Sequence, residues 1–387
     1  MHICFMASSF PRGKEAVYTF VKGYVDAIAD MGIQCSVIAP QSVTKVLMGR
    51  AGMRPKHWHY FTVGGNRVDV YQPRYITLSR HLVKPCMRHM AKAVQGAYRS
   101  LDKPADVVYA HFWGMGVVAS KVAGDKPVFV TCGEGEGGKI QLERFFDKQD
   151  IKHALDKIAG VVYVSTQNVE NARAAGLQGE RPYIVAPNGY QPSKFYQKDR
   201  AAVREKLGFS KDAFIVAYTG SFIPRKGPLR LSEALKKLHS EQLGEGEKIY
   251  SLFIGAGEEQ PDCENILFCG RLANEEVNDY LNAADVFVLP TRNEGCCNAI
   301  VEALACGLPV ISSSKKFNDD ILDENCSIRI DTMSVPEIAS AIHTLYRDRA
   351  LLKRLSEGAL KKAESLKIQD RVSRIVGFIE DTIAEDV

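Results

Sequence analysis

Residues 284–313 read ADVFVLPTRNEGCCNAIVEALACGLPVISS. The apolar run Val286–Leu289 stops at Pro290, and a polar turn carrying Glu294 and Gly295 follows. A helical pattern then carries Glu302 and ends near Gly307-Leu308-Pro309, before a second apolar run opens at Val310-Ile311. The spacing predicts strand, loop, helix, strand: a βαβ unit with carboxylates on both sides of its loop-to-helix corner. In an open α/β sheet, ligands bind beyond the carboxyl ends of the strands. This corner is therefore the first candidate site.

The same alternation runs along most of the chain. Ile3–Ala7 reads as a strand, Val17, Phe20, Val21, Tyr24, Val25 and Ile28 recur at helical spacing, and Cys35–Ala39 reads as the next strand. Such βαβ openings imply a parallel sheet with right-handed crossovers. Further strands are expected at 107–110, 128–130, 160–164 and 183–185. After the turn Pro187-Asn188-Gly189-Tyr190 and the apolar anchor Phe195 a second α/β series begins. Its strands are expected at 214–219, 250–254 and 266–270, and three helices close the chain. The fold class is α/β, with domains at 1–195 and 196–367 and the last helix from 368. Residues 41–104 are irregular, mixing Lys45, Arg50, Arg54 and Lys56 with apolar side chains; Pro55 and Pro85 interrupt any clean amphipathic stripe.

The 387 residues suggest two or three domains. The ten cysteines show no metal-ligand spacing, and Cys296-Cys297 is the only close pair, which fits a reduced, cytoplasmic setting. The first apolar run meets Ser8-Ser9-Phe10-Pro11 at once and reads as a strand rather than a leader. Residues 1–110 hold fifteen Lys/Arg against six Asp/Glu, although the whole chain carries only +4. That asymmetry suits an anionic partner, a membrane surface or a lipid phosphate, or simply a solvated basic face.

Several loops could do chemistry. Arg225 and Lys226 follow a strand and precede a helix, where two adjacent cations can hold a diphosphate. Gly270-Arg271-Leu272 could present backbone to a base edge. The eight-residue separation of Glu294 and Glu302 puts the first on the loop and the second in the early helix. Backbone N–H groups of Asn298, Ala299 and Ile300 would then face an anion. A carboxylate accepts hydrogen bonds from adjacent sugar hydroxyls, yet taken alone Glu294 reads more readily as a solvated surface charge and Glu302 as a helix-start charge. In the first half, His111 and the glycine-rich Gly133-Glu134 stretch end strands, and Gly13 could bring backbone close to a ligand. A lone strand-end histidine is more often structural.

Taken together, these segments resemble a retaining glycosyltransferase of the GT-B fold, family 4. The resemblance lies in Glu294-Gly295, then Glu302-Ala303-Leu304-Ala305-Cys306-Gly307-Leu308-Pro309-Val310-Ile311, similar to that family's E-x7-E motif and trailing EAxAxGxPVI. It extends to Ala284–Pro290, Gly220 with Arg225-Lys226-Gly227, Gly255-Ala256-Gly257, Phe268-Cys269-Gly270, and Pro187-Asn188-Gly189 with Phe195. It implies two Rossmann-like α/β/α domains facing each other across a deep cleft, the first binding acceptor and the second a nucleotide-sugar donor, here a UDP-sugar. It also implies that the last helix returns to the first domain.

The resemblance assigns the donor diphosphate to Arg225 and Lys226, the ribose hydroxyls to Glu302 and the donor sugar to Glu294. Gly13, Ser221, Gly270, Arg271, Leu272, Gly295, Cys296, Cys297, Asn298, Ala299 and Ile300 complete the donor contacts, and His111, Gly133 and Glu134 fall to the acceptor. No metal or other cofactor is implied; the acceptor would be a saccharide or lipid-linked, and nucleic acid is not a partner. The chain departs from the family in three places. The first loop has Gly13 where the family has paired glycines, the strand at 128–130 is followed by Gly133 or Glu134 where a histidine is usual, and Cys296-Cys297-Asn298 follows Glu294-Gly295. Other readings are a sugar-phosphate synthase, a UDP-sugar epimerase, or a non-catalytic nucleotide-sugar-binding subunit.

Overall fold

The computed structural model describes residues 1–13, 18–77, 82–133 and 138–385. Its backbone groups into two compact units, Met1–Ala186 with Arg371–Val387, and Pro187–Asp370. The sequence reading puts the divisions at 195/196 and 367/368 instead. The Pro187–Phe195 loop goes with the second unit because it hydrogen-bonds there: Asn188 Nδ2 donates to the Cys296 carbonyl at 3.0 Å, and the Tyr190 amide to Leu366 at 3.0 Å.

The second unit holds six parallel strands. In spatial order they are Ile266–Gly270, Ile249–Ile254, Phe214–Thr219, Val286–Leu289, Val310–Ser313 and Ser327–Ile330. Near-continuous apolar runs such as VFVL form these strands because helices cover both faces and no side needs to be polar. Counted along the chain the order is 3-2-1-4-5-6, the doubly wound order of mononucleotide-binding sheets. Chain direction across the sheet reverses between Phe214–Thr219 and Val286–Leu289. The loops leaving their carboxyl ends, Gly220–Gly227 and Pro290–Cys297, therefore flank the switch point.

The first unit holds an eight-stranded sheet ordered Tyr183–Val185, Ile158–Tyr163, Val128–Cys132, Val107–His111, His2–Met6, Gln34–Ile38, Arg67–Tyr71, His57–Phe61. Only His57–Phe61 runs antiparallel to its neighbour. From Arg371 onward the last helix, Ile368–Glu385, belongs to this unit: Phe378 packs edge-on against Phe129 at 5.8 Å, and Arg374 donates to the Val185 carbonyl at 2.8 Å.

Two elements between residues 41 and 104 differ from the sequence reading. His57–Phe61 and Arg67–Tyr71 form a hairpin around Gly64-Gly65, with full register from His57–Tyr71 to Phe61–Arg67. The helix Val83–Arg99 runs straight through Pro85. Pro85 sits in the first helical turn, where an amide has no intrahelical acceptor to lose. Cys86, Met90 and Val94 then form the buried stripe that Pro85 had hidden. On its outer side Lys84 and Arg88 both pair with Asp147, at 3.1 and 2.7 Å. Among the described residues no helix is long and apolar enough to cross a membrane.

Candidate active site in the second unit

The switch point brings Arg225, Lys226 and Glu294 together. One carboxylate oxygen, Glu294 Oε1, accepts from Arg225 Nη1 at 2.8 Å, Lys226 Nζ at 2.6 Å and Thr291 Oγ1 at 2.6 Å. Arg225 also donates to the Asn293 carbonyl, and the Arg292 amide returns a bond to the Arg225 carbonyl at 2.9 Å. The two loops are thus zipped by backbone and side chain. Glu294 and Lys226 are mostly covered, whereas Arg225 is 42 % exposed. Burial opposes the Lys226 charge, but the Cys297 sulfur and the Glu294 carboxylate outweigh it and hold the ammonium above its ordinary range.

Arg230, which sequence reasoning passed over, fixes the same loops from behind. It sits one turn into the helix Pro228–Glu241 and donates to three carbonyls: Pro224 at 2.8 Å, Pro290 at 2.7 Å and Thr332 at 2.8 Å. Each belongs to a loop after a different strand. The helix starts at Gly227 with φ 76°, and a Cβ there would lie 2.8 Å from the Pro290 oxygen. Only glycine allows both the left-handed start and that approach.

The Gly255-Ala256-Gly257 pair is explained by backbone, not by a ligand. The Gly220 amide donates to Ile254 at 2.9 Å, the Phe222 amide to Ala256 at 2.9 Å, and the Gly255 amide to Gly270 at 2.8 Å. Successive strand-end loops are stitched edge to edge, which leaves no room for side chains at either glycine. Gly270 therefore spends its carbonyl inside the protein. Ser221 and Arg271 are exposed and Leu272 is half-buried.

The helix Asn298–Ala305 begins at Cys297, whose buried sulfur lies 3.9 Å from Lys226 Nζ. Its neighbour Cys296 faces elsewhere, accepting from the Asn188 amide through sulfur at 3.3 Å. The vicinal cysteines thus have separate tasks, one at the cations and one anchoring the Pro187 loop. Of the three amides expected to face an anion, Ile300 is already committed to the Cys297 carbonyl at 3.2 Å. Glu302, in the second turn, is half-buried. Burial pushes its carboxyl up to about 8, with Lys194 pulling the other way.

The first-unit candidates fall around that unit's own switch point, between His2–Met6 and Val107–His111. Gly13 is exposed at φ 62°. Gly133 follows Cys132 and lies close to Val164 and Phe112, and Glu134 lies outside the described residues. His111 is turned into the core, 4 % exposed, among Phe5, Tyr24 and Tyr109. Burial, with Arg371 adding to it, lowers its pKa to about 3, so the ring is neutral. A side chain so enclosed is part of the packing beneath the strand end, in line with the structural reading of a lone strand-end histidine, where the resemblance had given it to the acceptor. Among the described residues no group of three or more His, Cys, Asp or Glu is placed to hold a metal ion.

Residues 199–362, nearly all of the second unit's sheet and helices, match the family described as glycosyl transferases, group 1. TuaC of Bacillus subtilis, whose name assigns it to teichuronic acid biosynthesis as a glycosyltransferase, is 27% identical over 375 residues and covers 91% of both chains. Residues 199–362 form a glycosyl transferases group 1 domain, and the chain is a transferase. The transferase is also similar to a D-inositol 3-phosphate glycosyltransferase of Catenulispora acidiphila, 26% identical with 72% of each chain covered. Sucrose-phosphate synthase of Thermosynechococcus elongatus superposes with TM-score 0.79 at 17% identity over 99% of both chains. HepE of Anabaena, solved with UDP, gives 0.69 at 16% identity over 98% of the transferase and 100% of HepE. The fold is GT-B, as the resemblance implies.

Proposed function

We propose that the transferase moves a sugar, with retained anomeric configuration as in family 4, from a nucleoside diphosphate sugar to a saccharide or lipid-linked acceptor. The observation that carries this reading is the meeting of Arg225, Lys226 and Glu294 at the switch point of a 3-2-1-4-5-6 sheet. In the reaction the bond between the anomeric carbon and the diphosphate oxygen breaks, a bond to the acceptor oxygen forms on the same face, and the acceptor's O–H proton passes to the departing diphosphate. Arg225, Lys226 and the amides at Asn298 and Ala299 neutralise the departing diphosphate, so the chemistry needs no metal. An arriving diphosphate competes with Glu294 for the two cations, which frees the carboxylate to meet the donor sugar. HepE, solved with UDP and with UDP-glucose, supports a UDP-sugar donor, and TuaC's name supports a surface-polysaccharide setting.

Glu294→Gln tests the role split. Turnover should fall further than UDP affinity, because the amide still occupies the site but no longer answers charge at the sugar. Equal losses in both would assign Glu294 to nucleotide binding alone.

Glu302 gives the binding a pH signature. Its carboxyl holds a proton up to about pH 8 in the folded chain but only to the ordinary carboxyl range when unfolded. The stability this contributes is full at low pH and declines as pH rises through that window. A carboxylate that accepts two ribose hydroxyls must be ionised, so nucleotide binding at pH 7 should release a proton. Affinity should accordingly rise by up to about tenfold per pH unit below 8. Calorimetry in two buffers of different ionisation enthalpy reads the proton directly, and Glu302→Gln should abolish the pH slope.

A membrane-bound acceptor would meet the first unit at Val43–Met53, not along Val83–Arg99, whose charges Lys84 and Arg88 are engaged by Asp147. Leu47 is 81% exposed, with Met48 and Met53 also outward beside Lys45 and Arg50. Flotation with anionic vesicles should show salt-sensitive binding that Leu47→Glu weakens; no flotation at low salt would remove the proposal.

A further inference from the structure

At the amino ends of the second unit's strands, the sheet edge opposite the donor loops, lies a cavity of about 340 Å3. Arg200, Arg204, Lys211, Asp212, Asp285 and Arg349 line it, four cations against two carboxylates. Asp285 is buried and fully used. Its Oδ2 accepts from Arg204 at 2.7 Å and the Ile215 amide at 2.8 Å, and its Oδ1 from Arg200 at 3.0 Å. Arg204 spends its other donors on the Ala283 and Lys211 carbonyls, both at 2.8 Å. These two residues form the floor.

The walls are neutralised only in part: Arg200 is bonded to Asp285, and Asp212 stands among the lining cations. Arg349 is exposed and lies over Phe214 at 4.9 Å and Tyr346 at 5.5 Å, and among the described residues no carboxylate pairs with it. Lys211 pairs, among the described residues, with Glu205 at 3.4 Å, both well exposed. Arg200 and Arg349 each occupy the first residue of a helix, Arg200–Leu207 and Arg349–Glu364, where the helix dipole disfavours a cation. Burial weakens Arg200's hold on its proton, Asp285 strengthens it, and Arg204 and Arg349 weaken it again. The arginines therefore repel one another across the cavity, while Asp199 and Asp348 cap the two helices through the Ala202 and Leu351 amides, at 2.9 and 2.8 Å.

We propose that this cavity binds the phosphate group of a small soluble anion, gripped by Arg200 and Arg349 with Lys211 as the third cation. Guanidinium edges match a phosphate's oxygens in pairs. The rings beneath Arg349 fix its plane, so less freedom is lost on binding. The volume is at the lower end for small-ligand sites, enough for a phosphate with a small body attached. The cavity is separate from the donor loops, which leave the carboxyl ends of the same strands.

The test is a calorimetric titration with inorganic pyrophosphate on the full chain carrying Lys226→Ala, which weakens the proposed diphosphate site. Saturable binding is expected. It should weaken about tenfold in Arg349→Gln, and further in Arg200→Gln/Arg349→Gln, each removing a charge-assisted bond. The exposed Arg349→Gln variant should keep its thermal midpoint without pyrophosphate, which separates lost binding from lost fold. Affinity unchanged by Arg349→Gln overturns the site. Binding of phosphatidylglycerol vesicles with no binding of pyrophosphate also overturns it, because the ligand would then be a lipid headgroup.

Discussion

Lys226→Ala is expected to lower transfer activity by about two to three orders of magnitude, the usual loss when one preorganised donor to developing charge is removed. Lys226 is the more covered of the two cations, 14 % exposed, and its ammonium lies 2.6 Å from Glu294 and 3.9 Å from Cys297 at the start of the helix. A charge held there acts in a less watery setting than that of Arg225, 42 % exposed, whose field solvent screens. Arg225→Ala should therefore cost clearly less. Affinity for a nucleoside diphosphate should fall about tenfold or more with Lys226→Ala, from one lost charge-assisted bond. The fold should tolerate the change, because Arg225 and Thr291 still hold the Glu294 oxygen. Kinetics and a thermal melt on the same preparation check both halves. Near-normal activity would remove Lys226 from the chemistry.

Gly255→Ala is expected to destabilise the second unit by about 3 kcal/mol, at the top of the range for overpacking. The added methyl would fall inside the Gly220 carbonyl oxygen and 2.9 Å from the Phe222 ring. Backbone cannot swing aside as a side chain can, since Gly220 is tied to Ile254 and Phe222 to Ala256. Relief must come from moving Gly220–Phe222, the start of the loop that carries Arg225 and Lys226. Urea denaturation should show the loss, and nucleotide affinity should fall with it. A variant as stable as the parent would show that the stitched loops are looser than their hydrogen bonds indicate.

The second unit was legible because its strands are buried on both faces and bounded by glycine or proline. Phe214–Thr219, Ile266–Gly270 and Val286–Leu289 stand where the apolar runs place them. Ser327–Ile330 was not, since SIRI puts a polar and a basic residue into an edge strand. In the first unit, His57–Phe61 alternates half-buried and exposed positions and carries histidines and aromatics, so it read as part of a basic mixture. Gly64-Gly65 between two β-rich runs was the available signal.

At the site, the roles of Arg225, Lys226 and Glu294 could be suspected from spacing. Their convergence on one oxygen could not, because it depends on which strands are neighbours. Arg230 was missed for the same reason: its partners lie up to 102 residues away, and no local pattern marks it. Thr291 bonds Glu294 only three residues on, within a loop that no regular pattern describes. Cys296-Cys297, opaque as a dipeptide, resolves into two unrelated contacts once Asn188 and Lys226 are in place.

The central claim is that the switch point of the second unit binds the diphosphate and ribose of a sugar donor. Calorimetric titration of the wild-type chain and of Lys226→Ala/Glu302→Gln with UDP, GDP and ADP tests it most directly. The account predicts one-site saturation by at least one of them, UDP foremost, and its loss in the double variant. Binding of none of the three by the wild type, or unchanged affinity in the double variant, would contradict it.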